Sequence, residues 1–176
     1  LGFVLQFTFA APTIAAEIIG GSMGMSMATS VDPTNGAHSP ALGQYFAVIL
    51  TVIFLSLGGH LQWIALLVKS YTLFPPGHVL GAFGPQHFTM VLSFASAMFA
   101  TAAAMALPVT LVLLLVQMLS GVLSRSAPAL NMFSLALPAG IIAGFAALLL
   151  SAPLLSDTMT QLTADAIAAT TTLLTT

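Results

Sequence analysis

Between Asp32 and Lys69 the chain runs for 36 residues without a formal charge, and two further uncharged runs follow, 55 residues before Arg125 and 31 before Asp157. A segment of that kind cannot coat itself with solvated side chains. Each run is long enough to hold at least one membrane-crossing helix, which needs ~20 apolar residues. The whole chain of 176 residues carries 3% charged and 59% hydrophobic types, where a soluble domain carries about a quarter charged. Lipid or other protein must therefore cover most of its surface.

The same numbers exclude several functions. Two cations cannot neutralise a nucleic-acid backbone, and a chain this apolar would collapse rather than stay disordered. With no Cys there is no disulfide framework, thiolate metal site or cysteine nucleophile. The absence of an initiating Met predicts that the natural polypeptide continues upstream.

Local signals divide the chain into helical hairpins. An apolar segment from Phe3 to Ala28 ends in the loop chemistry of Asp32, Pro33, Asn35, Gly36, Ser39 and Pro40. Ser39 before Pro40 reads as a helix N-cap and first turn, opening a second helix that runs to Tyr71. Pro75, Pro76, Gly77, Gly81, Gly84 and Pro85 make a flexible connection. Residues 86 to 124 follow without a charge and would measure close to ~60 Å as one helix, twice the hydrocarbon thickness. That stretch must tilt, bend at Pro108 or leave the bilayer. A turn at Arg125, Pro128 and Asn131 precedes a span-length run, Met132 to Leu150. Beyond it Leu155, Met159, Leu162, Ala166, Ala169 and Leu173 form a narrow helical stripe suited to a partner helix. The expected fold is all-α, an integral membrane protein built of bent helical hairpins. Lys69 and Arg125 end consecutive apolar segments, so the excess of cations on one side that orients many membrane proteins is missing.

Four constellations carry candidate chemistry. Gly20, Gly24 and Gly140, Gly144 are two G-x-x-x-G spacings, which let helix backbones approach closely in lipid. Gly20 to Gly24 also spells G-x-S-x-G around Ser22, with His60 or His87 as potential base, but without the strand that makes this spacing a nucleophile elbow. Met23, Met25 and Met27 alternate as thioethers that suit Cu(I), or fill irregular gaps between apolar surfaces. Glu17 is the only ionisable group in the first apolar segment, where a carboxylate must be paired, protonated or turned toward a wet cavity. No phosphate-binding loop or clustered titratable groups appear, so no enzymatic activity, cofactor or metal is expected.

Several signatures then coincide in order. They are Glu17-Ile18-Ile19-Gly20 with the Met/Gly run, Val31-Asp32-Pro33, Gly59-His60, Leu73-Phe74-Pro75-Pro76-Gly77, Ala106-Leu107-Pro108, and Arg125-Ser126-Ala127-Pro128-Ala129-Leu130-Asn131-Met132-Phe133. Over residues 17 to 150 the chain resembles the R-subunit family of the bacterial type III export gate, called FliR in flagella and SctT in injectisomes. The resemblance implies a structural and gating subunit in the inner membrane, within the flagellar basal body. One copy would join five P and four Q subunits, alongside export-switch and other export-apparatus membrane proteins. Unfolded export substrates would pass through the assembly.

It further implies a P-like portion over residues 1 to 74, a flexible connection at 75 to 86 and a Q-like hairpin over 87 to 176. In this family the loop corresponding to residues 31 to 44 plugs the pore, which would place Val31, Asp32, Pro33, Thr34, Asn35, Gly36, Ala37 and His38 in the seal. The addition of Met23, Met25 and Met27 to that seal is inferred from their flexible apolar side chains. Gly59, His60, Arg125, Pro128, Asn131 and Phe133 carry the family signature. The rival readings are a small-solute or copper transporter and an intramembrane serine hydrolase.

Overall fold

The structure, a computed structural model, describes residues 2–25, 41–73, 75, 85–126 and 132–175. Among them every element is helical: α1 Gly2–Ser22, α2 Ala41–Ser56, α3 Gly59–Leu73, α4 Pro85–Ser126 and α5 Met132–Thr175. Three of the helices, α1, α4 and α5, are long and apolar enough to cross a membrane. The all-α membrane architecture read from the sequence is the architecture found.

Helix α1 is the central pillar, packing on α2, α4 and α5. Its buried face is made of small residues, with Ala11, Ala15 and Ala16 wholly enclosed, and α4 answers with Ala102 and Ala106. Small side chains at four-residue spacing bring two backbones together, which matters in lipid because apolar burial against another helix gains little over burial against acyl chains. Larger residues fill in around this seam: Ile19 and Met23 from α1, Phe46 and Leu50 from α2, Met105, Val109 and Leu113 from α4, and Met159 and Leu162 from α5.

The long stretch predicted to tilt, bend or leave the bilayer is one helix of 42 residues that runs unbroken through Pro108. Helix α5, at 44 residues, fuses the Met132 to Leu150 run with the Thr-rich tail and passes through Pro138 and Pro153. The five residues between α4 and α5 permit only an antiparallel return. Threonine is a weak helix former, but Thr158, Thr160, Thr163 and Thr170 each donate a hydrogen bond to the carbonyl four residues back. Their hydroxyls are satisfied inside the helix. The tail buries Leu155, Met159, Leu162, Thr163, Ala166, Thr170 and Leu174, whereas Ala169 and Leu173 of the predicted stripe are half-buried.

The predicted helix from Ser39 to Tyr71 is two helices, bent by 73°. Gly58 adopts φ +67°, a left-handed conformation that costs other residues ~1–2 kcal/mol. Its N–H donates to the Leu55 carbonyl, and its own carbonyl accepts from the N–H groups of Leu61 and Gln62, so it closes α2 and opens α3. Gly59 is pressed against Phe54: a Cβ there would lie 2.7 Å from the ring and 2.9 Å from the backbone oxygen. The Phe54 ring in turn meets Phe9 of α1 edge-on, with centroids 6.0 Å apart. The corner is built into the packing, and sequence periodicity does not register it because both arms are apolar.

Two substitutions test the corner. Gly58→Ala should destabilise the purified protein by ~1–2 kcal/mol through backbone strain, and Gly59→Ala by ~1–3 kcal/mol through overpacking. Gly21→Ala, at an open helical position, should leave the melting temperature unchanged. Thermal melts in detergent provide the comparison.

Candidate functional site

Four of the residues singled out in the sequence, Met23, Gly24, Gly140 and Gly144, meet at the C-terminal end of α1, just before residues 26–40. Gly24 closes the helix at φ +81°, a C-terminal turn that glycine makes without a Cβ penalty. The side chain of Met23 is buried and lies in a notch over Gly144 of α5, where a Cβ would come within 2.6 Å of Met23 Cγ and 2.7 Å of Cε. Gly140, one turn away, faces the Met23 carbonyl at 3.5 Å from a Cβ position, and Leu137 covers Gly24. Gly24 of the first G-x-x-x-G and both glycines of the second thus belong to one contact around Met23, whereas Gly20 faces Met25.

Helix α4 adds a polar tie. Gln117 Nε2 donates a 2.9 Å hydrogen bond to the Ser22 carbonyl, satisfying one of the free acceptors at a helix C-terminus. Only the lone amide in a long apolar run hinted at Gln117. On the far side of residues 26–40 the chain is held again, by buried Leu42 and Gly43 of α2. Both flanks of the segment are therefore anchored in the helical core. Ala41 to Gln44, the end of the predicted pore loop, form the first turn of α2. Val31, Asp32, Pro33, Thr34, Asn35, Gly36, Ala37, His38 and Met27 lie outside the described residues, as do Pro128 and Asn131 and the side chains of Phe133 and His87.

The geometry does not assemble a serine dyad. Ser22 donates its hydroxyl to the Ile18 carbonyl. His60 follows the corner that packs on Phe54 and Phe9, and Phe9 is thirteen residues, or ~20 Å, back along α1 from Ser22. His87 is thirty residues before Gln117 on α4, ~45 Å from the Ser22 contact. The described methionines also serve packing: Met23 fills the Gly144 notch, and the Met25 sulfur sits 4.0 Å from a Cβ position on Gly20. Beside the clamp, an apolar groove of about 410 Å³ between α2 and α5 is lined by Met25, Leu42, Phe46, Ile49, Phe145 and Met159 among others, with hydroxyls from Tyr45 and Ser156. Such a lining lacks the convergent polar groups that orient a small substrate.

The remaining signature residues are dispersed. Gly59 is buried at the corner, His60 is half-buried with its Nδ1 enclosed and unpartnered among the described residues, and Arg125 is exposed in the last turn of α4. Glu17 is exposed on the outer side of α1.

A bundle with three span-length apolar helices defines an all-α membrane protein. The family model for bacterial export proteins, family 1, matches residues 1–166. The chain is 34% identical over 156 residues to the flagellar biosynthetic protein FliR of Escherichia coli K12, covering 89% of this chain and 59% of that protein. It is 32% identical over 146 residues to FliR of Bacillus subtilis, covering 82% and 56%. It is 33% identical over 139 residues to the surface presentation of antigens protein SpaR of Shigella flexneri, covering 78% and 52%. The chain belongs to this family of bacterial export proteins. It spans between half and three fifths of the length of these relatives.

The Met23 notch yields a coupled prediction. Gly144→Ala should destabilise by ~1–3 kcal/mol because Met23 must leave its place, while Gly140→Ala should be nearly neutral. In the Gly144→Ala background, Met23→Ala should cost clearly less than it does alone. A double-mutant cycle of thermal stability reads the interaction directly.

Proposed function

We propose that the chain is the single R-type subunit of the type III protein export gate, built from a P-like portion over residues 1 to 74 and a Q-like hairpin over 87 to 176. It acts structurally and as part of the gate, with five P and four Q subunits around a conduit for unfolded export substrates. The observation that carries this reading is the length of exposed apolar surface on α4. Phe88 and Leu92 near one end, and Val122 and Leu123 near the other, are all at least half exposed. Phe88 and Leu123 are thirty-five residues apart, ~52 Å along the helix. Holding both in ~30 Å of hydrocarbon needs a tilt of about 55°, beyond the usual range of up to ~40°. Part of that surface calls for a protein cover, as a subunit in a larger assembly would receive.

The gating role is assigned to residues 31 to 40, the predicted pore loop less its last four residues, which belong to α2, with Met23, Met25 and Met27 at their base. Asp32 is the one formal charge in this stretch, so a passing polypeptide finds little to bind. The clamp at Met23, Gly24, Gly140 and Gly144 and the start of α2 fix the flanks, so that the stopper returns to one place after displacement. Its resting and displaced states form an equilibrium that substrate entry biases.

Deleting Thr34 to Ala37 in the full-length protein should raise the ion conductance of the assembled complex in planar bilayers while native mass spectrometry shows unchanged subunit stoichiometry. Wild-type conductance in a fully assembled complex would reject the plug. A wild-type protein that purifies as a small symmetric oligomer and moves solute unaided would reject the gate itself.

A further inference from the structure

Helix α1 buries one side, formed by Val4, Thr8, Ala11, Pro12, Ala15, Ala16, Ile19 and Gly20. On the other side Gln6, Glu17 and Gly21 are exposed and Ala10 and Thr13 half-buried. At about 100° per residue these five positions fall within a wedge of about 80°. A lone carboxylate, an amide, a hydroxyl and two small residues thus form one stripe on a span-length apolar helix. Nothing in the Met23 clamp uses it.

We propose that this stripe of α1 is a docking surface for a membrane helix of another subunit, and that a lysine or arginine on that helix pairs with Glu17. The inference rests on the reading of the chain as one subunit of a hetero-oligomer, and names a contact within it.

The chain's own cations do not reach Glu17. The Gln117 to Ser22 hydrogen bond sets the register of α4 on α1. Arg125 lies eight residues beyond that contact and Glu17 five residues before it, a separation of ~20 Å along the axis. Lys69 stands ten residues past Gly59 on α3, which turns 73° away from α2. A carboxylate left facing acyl chains carries a penalty of several kcal/mol, so its surroundings must supply charge or water.

The neighbours of the stripe favour a helix over water. Phe3, 61% exposed, lies on the stripe at the azimuth of Gly21, and Ile18, 41% exposed, borders it on that side; bulky apolar side chains on and beside a polar line suit a helix seam, whereas a lumen wall would expose them to solvent. Ala10 and Gly21 leave room for a backbone to approach, and Gln6 and Thr13 offer hydrogen bonds across the seam. Thr13 donates to the Phe9 carbonyl and keeps its acceptor lone pairs free for the partner.

The chain contains no Cys, so a single probe position is clean. Gly21→Cys in the full-length protein is labelled in native membranes with a water-soluble and a lipid-soluble maleimide, with and without the other export-complex proteins. Protection from both reagents in the complex, and labelling when the protein is alone, is the expected result. Labelling in the complex by the water-soluble reagent would make the stripe an aqueous wall, and labelling there by the lipid-soluble reagent alone would make it a lipid face; either overturns the proposal.

In parallel, Glu17→Lys should lower recovery of the complex at least ~tenfold, the scale expected for losing a desolvated charge pair, while Glu17→Asp assembles like wild type. Assembly of Glu17→Lys at wild-type yield would also overturn the proposal. If Glu17→Lys fails to fold, the maleimide pattern decides alone. A wild-type protein that forms no hetero-oligomer at all would instead remove the functional reading on which the contact rests.

Discussion

Close contact between the backbones of α1 and α4 is the interaction on which the rest of the molecule depends. Ala11, Ala15 and Ala16 meet a partner face that carries Ala102 and Ala106, and the gain comes from van der Waals contact that acyl chains cannot match at that distance. Because α1 also touches α2 and α5, its position sets two other interfaces. The register fixed along the alanine seam brings Gln117 level with Ser22 and leaves Met23 to settle over Gly144. A slip of one turn would lose all three contacts together.

Polar groups are handled by the same economy of space. Thr8, Thr163 and Thr170 are buried, and each returns its hydroxyl to its own helix, so that the core includes polar atoms without needing cross-helix partners. Helix ends are less easily satisfied, because their terminal carbonyls have no intrahelical donors. The end of α1 is covered by a side chain from α4, and the corner between α2 and α3 by the backbone of Gly58. The two sites where local helix rules fail, Gly24 and Gly58, are the two described residues with positive φ.

How much was legible in the sequence follows from this physics. The helices were legible because long apolar runs without charge have one main solution in lipid. The two G-x-x-x-G spacings were visible in the sequence, but the meeting of Gly140 and Gly144 with Met23 depends on tertiary register, which spacing does not carry. The corner at Gly58 was illegible because two adjacent glycines in an apolar run read equally well as a packing face. The fusion of the last two segments into α5 was hidden by the shift from an apolar to a Thr-rich composition, which ends the apolar run without ending the helix. In the candidate site, Gln117 was missed for want of any periodic signal, and Ser22 was a coincidence of letters: its hydroxyl bonds within its own helix.

The failure of the cation rule also has a geometric cause. Arg125 lies ~12 Å beyond the level at which Gln117 meets Ser22. Lys69 belongs to the opposite level, since α3 starts beside Phe54 and Phe9 and leaves at a steep angle to α2. A helix of 15 residues tilted that far gains only ~7 Å along the α2 axis, so Lys69 stays near the depth of the corner. The two cations therefore cancel as orientation signals. Within these helices insertion is left to hydrophobicity alone, and the direction of the bundle must be set by charges beyond them or by the neighbours that cover α4 and α1. In such a chain, orientation and assembly are one problem.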